Sequence, residues 1–251
     1  MAASTVILCA MWEILSRKVS SPLIFPSIRD VIRDFVSLVA SPHFPHDSLA
    51  TFKRGLVAFF VSFALSITLG VLSGVFPIFT AILTPWMSVI KSVPVVAFIL
   101  IAILWFGSDI VPIFVAILMT LPVMAESTAQ GVRAADRKLL EMAHIYRMSS
   151  RSILMNIRIP SAMPFILAGA ASSFGLTWKV VIAGEILSFP ESGLGSAMQT
   201  AKVHLETPRV FSLTIVAILM SVVTEVLLRW LASVASRHDL RSPPPKDGAS
   251  V

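Results

Sequence analysis

The sequence predicts an all-α polytopic membrane protein of about six transmembrane helices with one long charged loop near its middle. Hydrophobic residues make up 56% of the 251 and charged residues only 14%, against roughly a quarter charged in soluble domains. Five runs carry no charged side chain at all: 55–90, 92–107, 110–125, 159–178 and 210–224. Roughly 20 apolar residues cross a bilayer core, so most of these runs read as spans. Against that background the stretch EMAHIYRMSSRSILMNIRIP, residues 141–160, is a polar, basic island.

The first element is a short span at about 2–16. A cleaved signal peptide fits poorly, because no Lys or Arg precedes the apolar run 2–10 and no A-x-A site closes it. Residues 17–54 have mixed charge, with Ile28, Val31, Ile32, Phe35 and Val36 at helical spacing. That pattern predicts an amphipathic helix beside the bilayer. A second span at about 56–76 ends where Gly70, Gly74 and Pro77 mark a turn. The third, about 81–106, contains Pro85 and Pro94; proline within a membrane helix predicts a kinked span packed by its neighbours. Spans four to six follow at about 110–128, 160–185 and 209–233. Residues 1–236 thus form the transmembrane domain, and the Pro-rich polar segment 237–251 a disordered tail.

Charge counting does not orient these spans. Residues 127–158 and the tail hold nine Lys and Arg, and the opposite loops eight. Several function classes are excluded. A single cysteine, Cys9, leaves no internal disulfide or Cys-based zinc site. The five histidines, His43, His46, His144, His204 and His238, have no metal-ligand spacing. There is no G-x-x-x-x-G-K-[ST] loop for a nucleotide. The net charge of +6 comes without basic clusters interleaved with aromatics, so nucleic acid is not an expected partner; membrane lipid is.

Within the island, Leu139, Met142, Ala143 and Tyr146 share one helical face, Ser149 and Ser150 offer N-cap chemistry for a second short helix, and Pro160 opens the next span. A helix, a turn and a helix follow. Such an element either lies on headgroups or docks into a soluble partner.

The island resembles the EAA loop of ABC-transporter permeases, whose pattern is E-A-A, a glycine at the seventh place and I-x-L-P at the end. Glu141, Ala143, Ile157 and Pro160 stand at matching places; Met142, Arg147 and Ile159 depart from it. Because arginine enters a left-handed turn less cheaply than glycine, the first helix is expected to run a little longer. Trp12-Glu13, Phe25-Pro26-Ser27, Val93-Pro94-Val95, Ile103 to Gly107, Gly131-Val132-Arg133, Trp178-Lys179, Ala183-Gly184-Glu185, Gly193-Leu194-Gly195 and Thr207-Pro208 look like the nitrate/sulfonate/taurine branch of these permeases.

The resemblance implies a type I importer permease in the bacterial plasma (inner) membrane, with the loop at about 132–159 facing the cytoplasm. It implies as partners a cytoplasmic ATPase dimer, a second permease subunit and an external substrate-binding protein. No cofactor sits on this chain; ATP and Mg belong to the ATPase. The solute is a small anion such as nitrate, a sulfonate or taurine, or a vitamin such as a thiamine precursor. Glu141, Ala143, Tyr146, Arg147 and Pro160 are the expected coupling residues. Trp178, Lys179, Glu185 and Pro94 are candidates for the translocation path, since ionisable groups inside spans default to function; the competing readings are a snorkelling Lys179 and an interfacial Glu185. Two other functions remain: an ion-gradient secondary transporter, which would need inverted repeats, and a membrane scaffold that recruits a soluble partner.

Overall fold

The computed structural model describes residues 2–19, 21 and 23–239, and all regular structure among them is helical. Among the described residues four helices are long and apolar enough to cross a membrane, and a fifth crossing is available if one bent helix pair counts as a span. The first expected span is where the count departs from six. Helix α1 (Ala2–Val19) carries Glu13, Arg17 and Lys18, three charges in 18 residues. It is tied down by Trp12, whose indole N–H donates to Pro26 O at 3.0 Å and whose ring meets Phe25 and Phe211, each at 5.0 Å. Helix α2 (Ile28–Val39) is the expected amphipathic helix, N-capped by Ser27 and burying Val31 and Leu38. Ile32 and Val36, assigned to the same face, remain exposed.

The core is α3 (Phe44–Val75), α6 (Val111–Arg133) and α9 (Ile159–Ser188), with α6 packed between the other two. Helix α3 presents a buried stripe of small residues, Ser62, Ser66, Gly70 and Gly74, which lets two backbones approach closely. A Cβ added at Gly70 would stand 2.5 Å from Thr128 Cβ, and one at Gly74 2.6 Å from Val132 Cβ. Gly70 and Gly74 therefore belong to the tightest part of a helix and do not mark its turn. The turn comes at Phe76, extended at φ −113°, as expected of a residue preceding proline.

The third expected span is not one kinked helix. Helices α4 (Pro77–Ser92) and α5 (Val95–Trp105) meet at 100°. Pro94 holds Val93 extended, with ψ 132°, whereas Pro85 leaves α4 unbroken. Nor is α4 enclosed by its neighbours: it touches α3 and α6 but buries no residue within this chain.

After α6 come α7 (Arg137–Ile145) and α8 (Ser150–Ile153), capped by Asp136 and Ser149 respectively. Pro160 does not open a new helix. α8 runs through a π-helical stretch, Leu154–Arg158, into α9, so that Ser150–Ser188 is one helical segment of 39 residues. The π-helical stretch includes Asn156, four residues before Pro160, whose carbonyl the proline ring would crowd in a regular α turn. Helix α10 (Leu194–Val203) and α11 (Thr207–Asp239) complete the chain. The expected tail starts three residues too early, because 237–239 continue α11; residues 240–251 lie outside the described part.

Candidate functional site

The island forms a compact projection at one end of the α3–α6–α9 core. Helix α7 ends at Ile145, and Tyr146 is its C-cap. Met148 N–H donates to Ala143 O at 2.9 Å and Arg147 N–H to His144 O at 3.0 Å, the paired bonds of a Schellman turn. Its left-handed position is filled by Arg147 at φ 51°. The expectation of a longer first helix is thus overturned, because the turn's two backbone bonds hold Arg147 in a conformation that glycine would adopt more cheaply. Ser149 Oγ then accepts from Ser152 N–H at 3.2 Å.

The faces of α7 also differ from expectation. Ala143 is fully buried against the protein's own interior, so it is not a small residue held open for a partner. Leu139 and Met142 are exposed, and Ile145 and Tyr146 stand out at 79% and 75% exposure. Glu141 is on the surface beside Arg137, at 3.7 Å, and Pro160 is exposed where the island joins α9. The projection therefore ends in an apolar tip with a charged flank.

The candidate path residues separate. Trp178 is 1% exposed, packed between Phe52 at 5.7 Å and Phe174 at 5.8 Å. Its ring sits over Gly55, where an added Cβ would approach to 2.4 Å; this is a core position, though its edge borders the neighbouring cleft. Lys179, one residue on, is exposed and makes no hydrogen bond or ion pair among the described residues. It lines that cleft of about 440 Å3 with Ile182, Met198, Thr214 and Ser221. Pro94 is exposed at the α4–α5 break.

Glu185 is neither interfacial nor open to a cavity. It is wholly buried, accepts from Thr51 Oγ1 at 2.8 Å, Arg54 Nη1 at 2.7 Å and Gly195 N–H at 2.9 Å, and forms an ion pair with Arg54. The same Arg54 Nη1 donates to Ser192 O at 2.7 Å, and Nη2 reaches Asp109 Oδ1 at 2.5 Å. Thr51 Oγ1 in turn accepts from Leu194 N–H at 2.8 Å. Gly193 has φ +144°, and a Cβ there would fall 2.7 Å from the Glu185 carboxyl carbon, so only glycine lets the loop fold over the carboxylate. One buried carboxylate thus joins α3, the α5–α6 loop, the end of α9 and the start of α10. Sequence reading missed Arg54, although it directly abuts the longest charge-free run. It also missed a partner for Glu126, whose carboxylate pairs with Lys91 across α4 and α6.

Comparison with known proteins gives the family and the fold. The family model described as binding-protein-dependent transport system inner membrane component matches residues 66–236. The chain is 31% identical over 210 residues, covering 83% of it and 84% of the relative, to a probable ABC transporter permease of Brucella melitensis biotype 1. It is 27% identical over 235 residues to the taurine transport system permease protein of Escherichia coli strain K12, covering 90% and 84%. Against a putative aliphatic sulfonates transport permease of Bacillus subtilis strain 168 the figures are 26% over 229 residues, covering 90% and 82%. A chain from a crystal structure of an amino acid ABC transporter with histidines has the same fold, at TM-score 0.64 and 18% identity over 81% of this chain and 98% of that one. With a matched family region that runs from the last third of α3 into α11, the chain belongs to the binding-protein-dependent transport system inner membrane components, as a multi-pass permease subunit of the inner membrane and not an enzyme.

Proposed function

We propose that this chain is the permease half of an ATP-driven importer for small anions of the sulfonate, taurine or nitrate kind. Two copies surround the path, two ATPase subunits bind the islands from the cytoplasm, and an external binding protein delivers the solute. ATP and Mg are held by the ATPase. The observation that carries this reading is the island tip. Ile145 and Tyr146 are large, apolar and extended into solvent from a turn fixed by backbone hydrogen bonds. Exposed apolar groups on a rigid element fit a partner's pocket, with Glu141 as a charged flank for that contact. The exposed face of α4, with Ile82, Trp86 and Val89, supports a second permease copy as its cover.

The test is a pair of substitutions, Ile145→Glu and Glu141→Lys, in permease co-expressed with its ATPase. Both are expected to insert normally. Ile145→Glu should abolish co-purification of the ATPase, and Glu141→Lys should uncouple ATP hydrolysis from uptake. Undiminished co-purification and uptake in both would return the island to an element that merely lies on headgroups.

A further inference from the structure

Along α4 the residues Thr80, Thr84, Ser88 and Lys91 recur at intervals of four, four and three, which places them on one stripe of the helix. The stripe faces α6. Lys91 Nζ pairs with Glu126 Oε2, and Arg133 Nη1 lies 3.5 Å from Thr80 Oγ1. Together these six side chains border a cleft of about 110 Å3 between the two helices.

The cleft opens on the side of the helical body, between α4 and α6. Helix α4 sets out from the end of α6 that bears Arg133, the end that also carries the island. Lys91 is 11 residues beyond Thr80 on α4, about 16 Å at a rise of roughly 1.5 Å per residue, and its partner Glu126 is seven residues before Arg133 on α6, about 10 Å, so the pair stands about a third to a half of the way into a core roughly 30 Å thick. The ion pair is nevertheless open, with its side chains 42% and 48% exposed. Charged groups at such depth face a water-filled cavity, because hydrocarbon would not solvate them. The hydroxyls alone would not decide the matter. Thr84 and Ser88 already donate to carbonyls of their own helix, at 2.6 and 2.9 Å, and would be content in lipid.

The charges select the ligand. Two cations, Lys91 and Arg133, share the cleft with one carboxylate, and Arg133 has no carboxylate partner among the described residues. We propose that this cleft is an oxyanion station on the translocation path: the head group of the solute displaces Glu126 from Lys91 and passes between Lys91 and Arg133, and Glu126 closes on Lys91 when the cleft is empty. The inference rests on the permease reading, and it places the selective charges on α4 and α6, away from Lys179. The small volume suits a single sulfonate-sized group.

The test needs no knowledge of the natural solute. In a Cys9→Ser background, full-length permease with its ATPase in membrane vesicles carries Ser88→Cys. It is treated with the methanethiosulfonate bearing an ethylsulfonate or with the one bearing an ethyltrimethylammonium group, each rate being normalised to that of a small free thiol. The ratio of the two rates cancels any change in the thiol's own reactivity. The expected result is labelling with about a tenfold preference for the anion, the size of a local charge effect on approach. Glu126→Gln should raise the preference and Lys91→Met should remove it. If Lys91→Met fails to assemble, Arg133→Gln keeps the ion pair and should lower the preference. An unreactive Ser88→Cys, or a preference that ignores these charges, overturns the proposal. Co-purification of the ATPase in the same preparations reports separately on the permease reading.

Discussion

Arg54 and Glu185 show how one buried pair can organise the half of this protein that lies away from the island. Glu185 has no exposure, and Arg54 is the cation that compensates it within a nearly closed pocket. The outer bond of Arg54, to Asp109, is of a different kind, because Asp109 is 69% exposed and solvent weakens such a pair. Removing one member of a buried pair leaves the other charge uncompensated, typically at about 3–5 kcal/mol, while replacing both can be nearly neutral. Arg54→Met is therefore expected to cause a severe loss of folded permease in detergent, whereas Arg54→Met with Glu185→Gln recovers most of it. Asp109→Asn should change the thermal midpoint little. Equal damage from the single and the double variant, read from monodisperse yield and thermal midpoint, would show that the network's charges do not hold the fold.

At the scale of elements, the island's turn and the α4–α5 break are both local rules resolved by context. Arg147 occupies the position where a Schellman turn favours glycine, and the left-handed region costs a non-glycine residue about 1 kcal/mol. Arg147→Gly should raise stability by about that amount and shift the thermal midpoint upward. A lower midpoint would mean that the arginine side chain contributes more than its backbone strain removes. Leu205 repeats the device after α10, at φ 57° with Glu206 N–H donating to Ala201 O at 2.8 Å. Two helices in this chain thus end on the same hydrogen-bond pair without a glycine.

For the whole molecule, the distribution of apolar surface carries the argument. Helix α6 is buried along much of its length between α3 and α9, so a single chain has a true core. By contrast α4 buries nothing, and Leu100, Leu104 and Trp105 of α5 are exposed as well. An element so sparsely packed by its own chain suits a second subunit as its cover. Native mass measurement of the co-expressed complex should therefore give two permeases with two ATPases. Trp86→Glu should reduce the permease to monomers while the α3–α6–α9 core stays folded. Monomeric permease in the unmodified complex would count against the two-fold arrangement.

Fold class, family and most of the spans are legible in the chain alone, because charge-free runs and local motifs are written in short stretches. The island was legible as helix, turn and helix for the same reason: caps such as Ser149 act within three residues. What lay between distant segments was not legible. Gly70 and Gly74 read as turn punctuation but pack against Thr128 and Val132, and Ala143, which reads as a coupling residue, is buried in the chain's own interior. Glu185 could be read as a functional charge, but not as the partner of Arg54, 131 residues away. Lys91 and Glu126 are separated by 35 residues and by a helix break of 100°, so no periodicity pairs them. Local hydrogen bonds and the preference of apolar runs for lipid are written in short stretches; which charges meet is decided only when the helices pack.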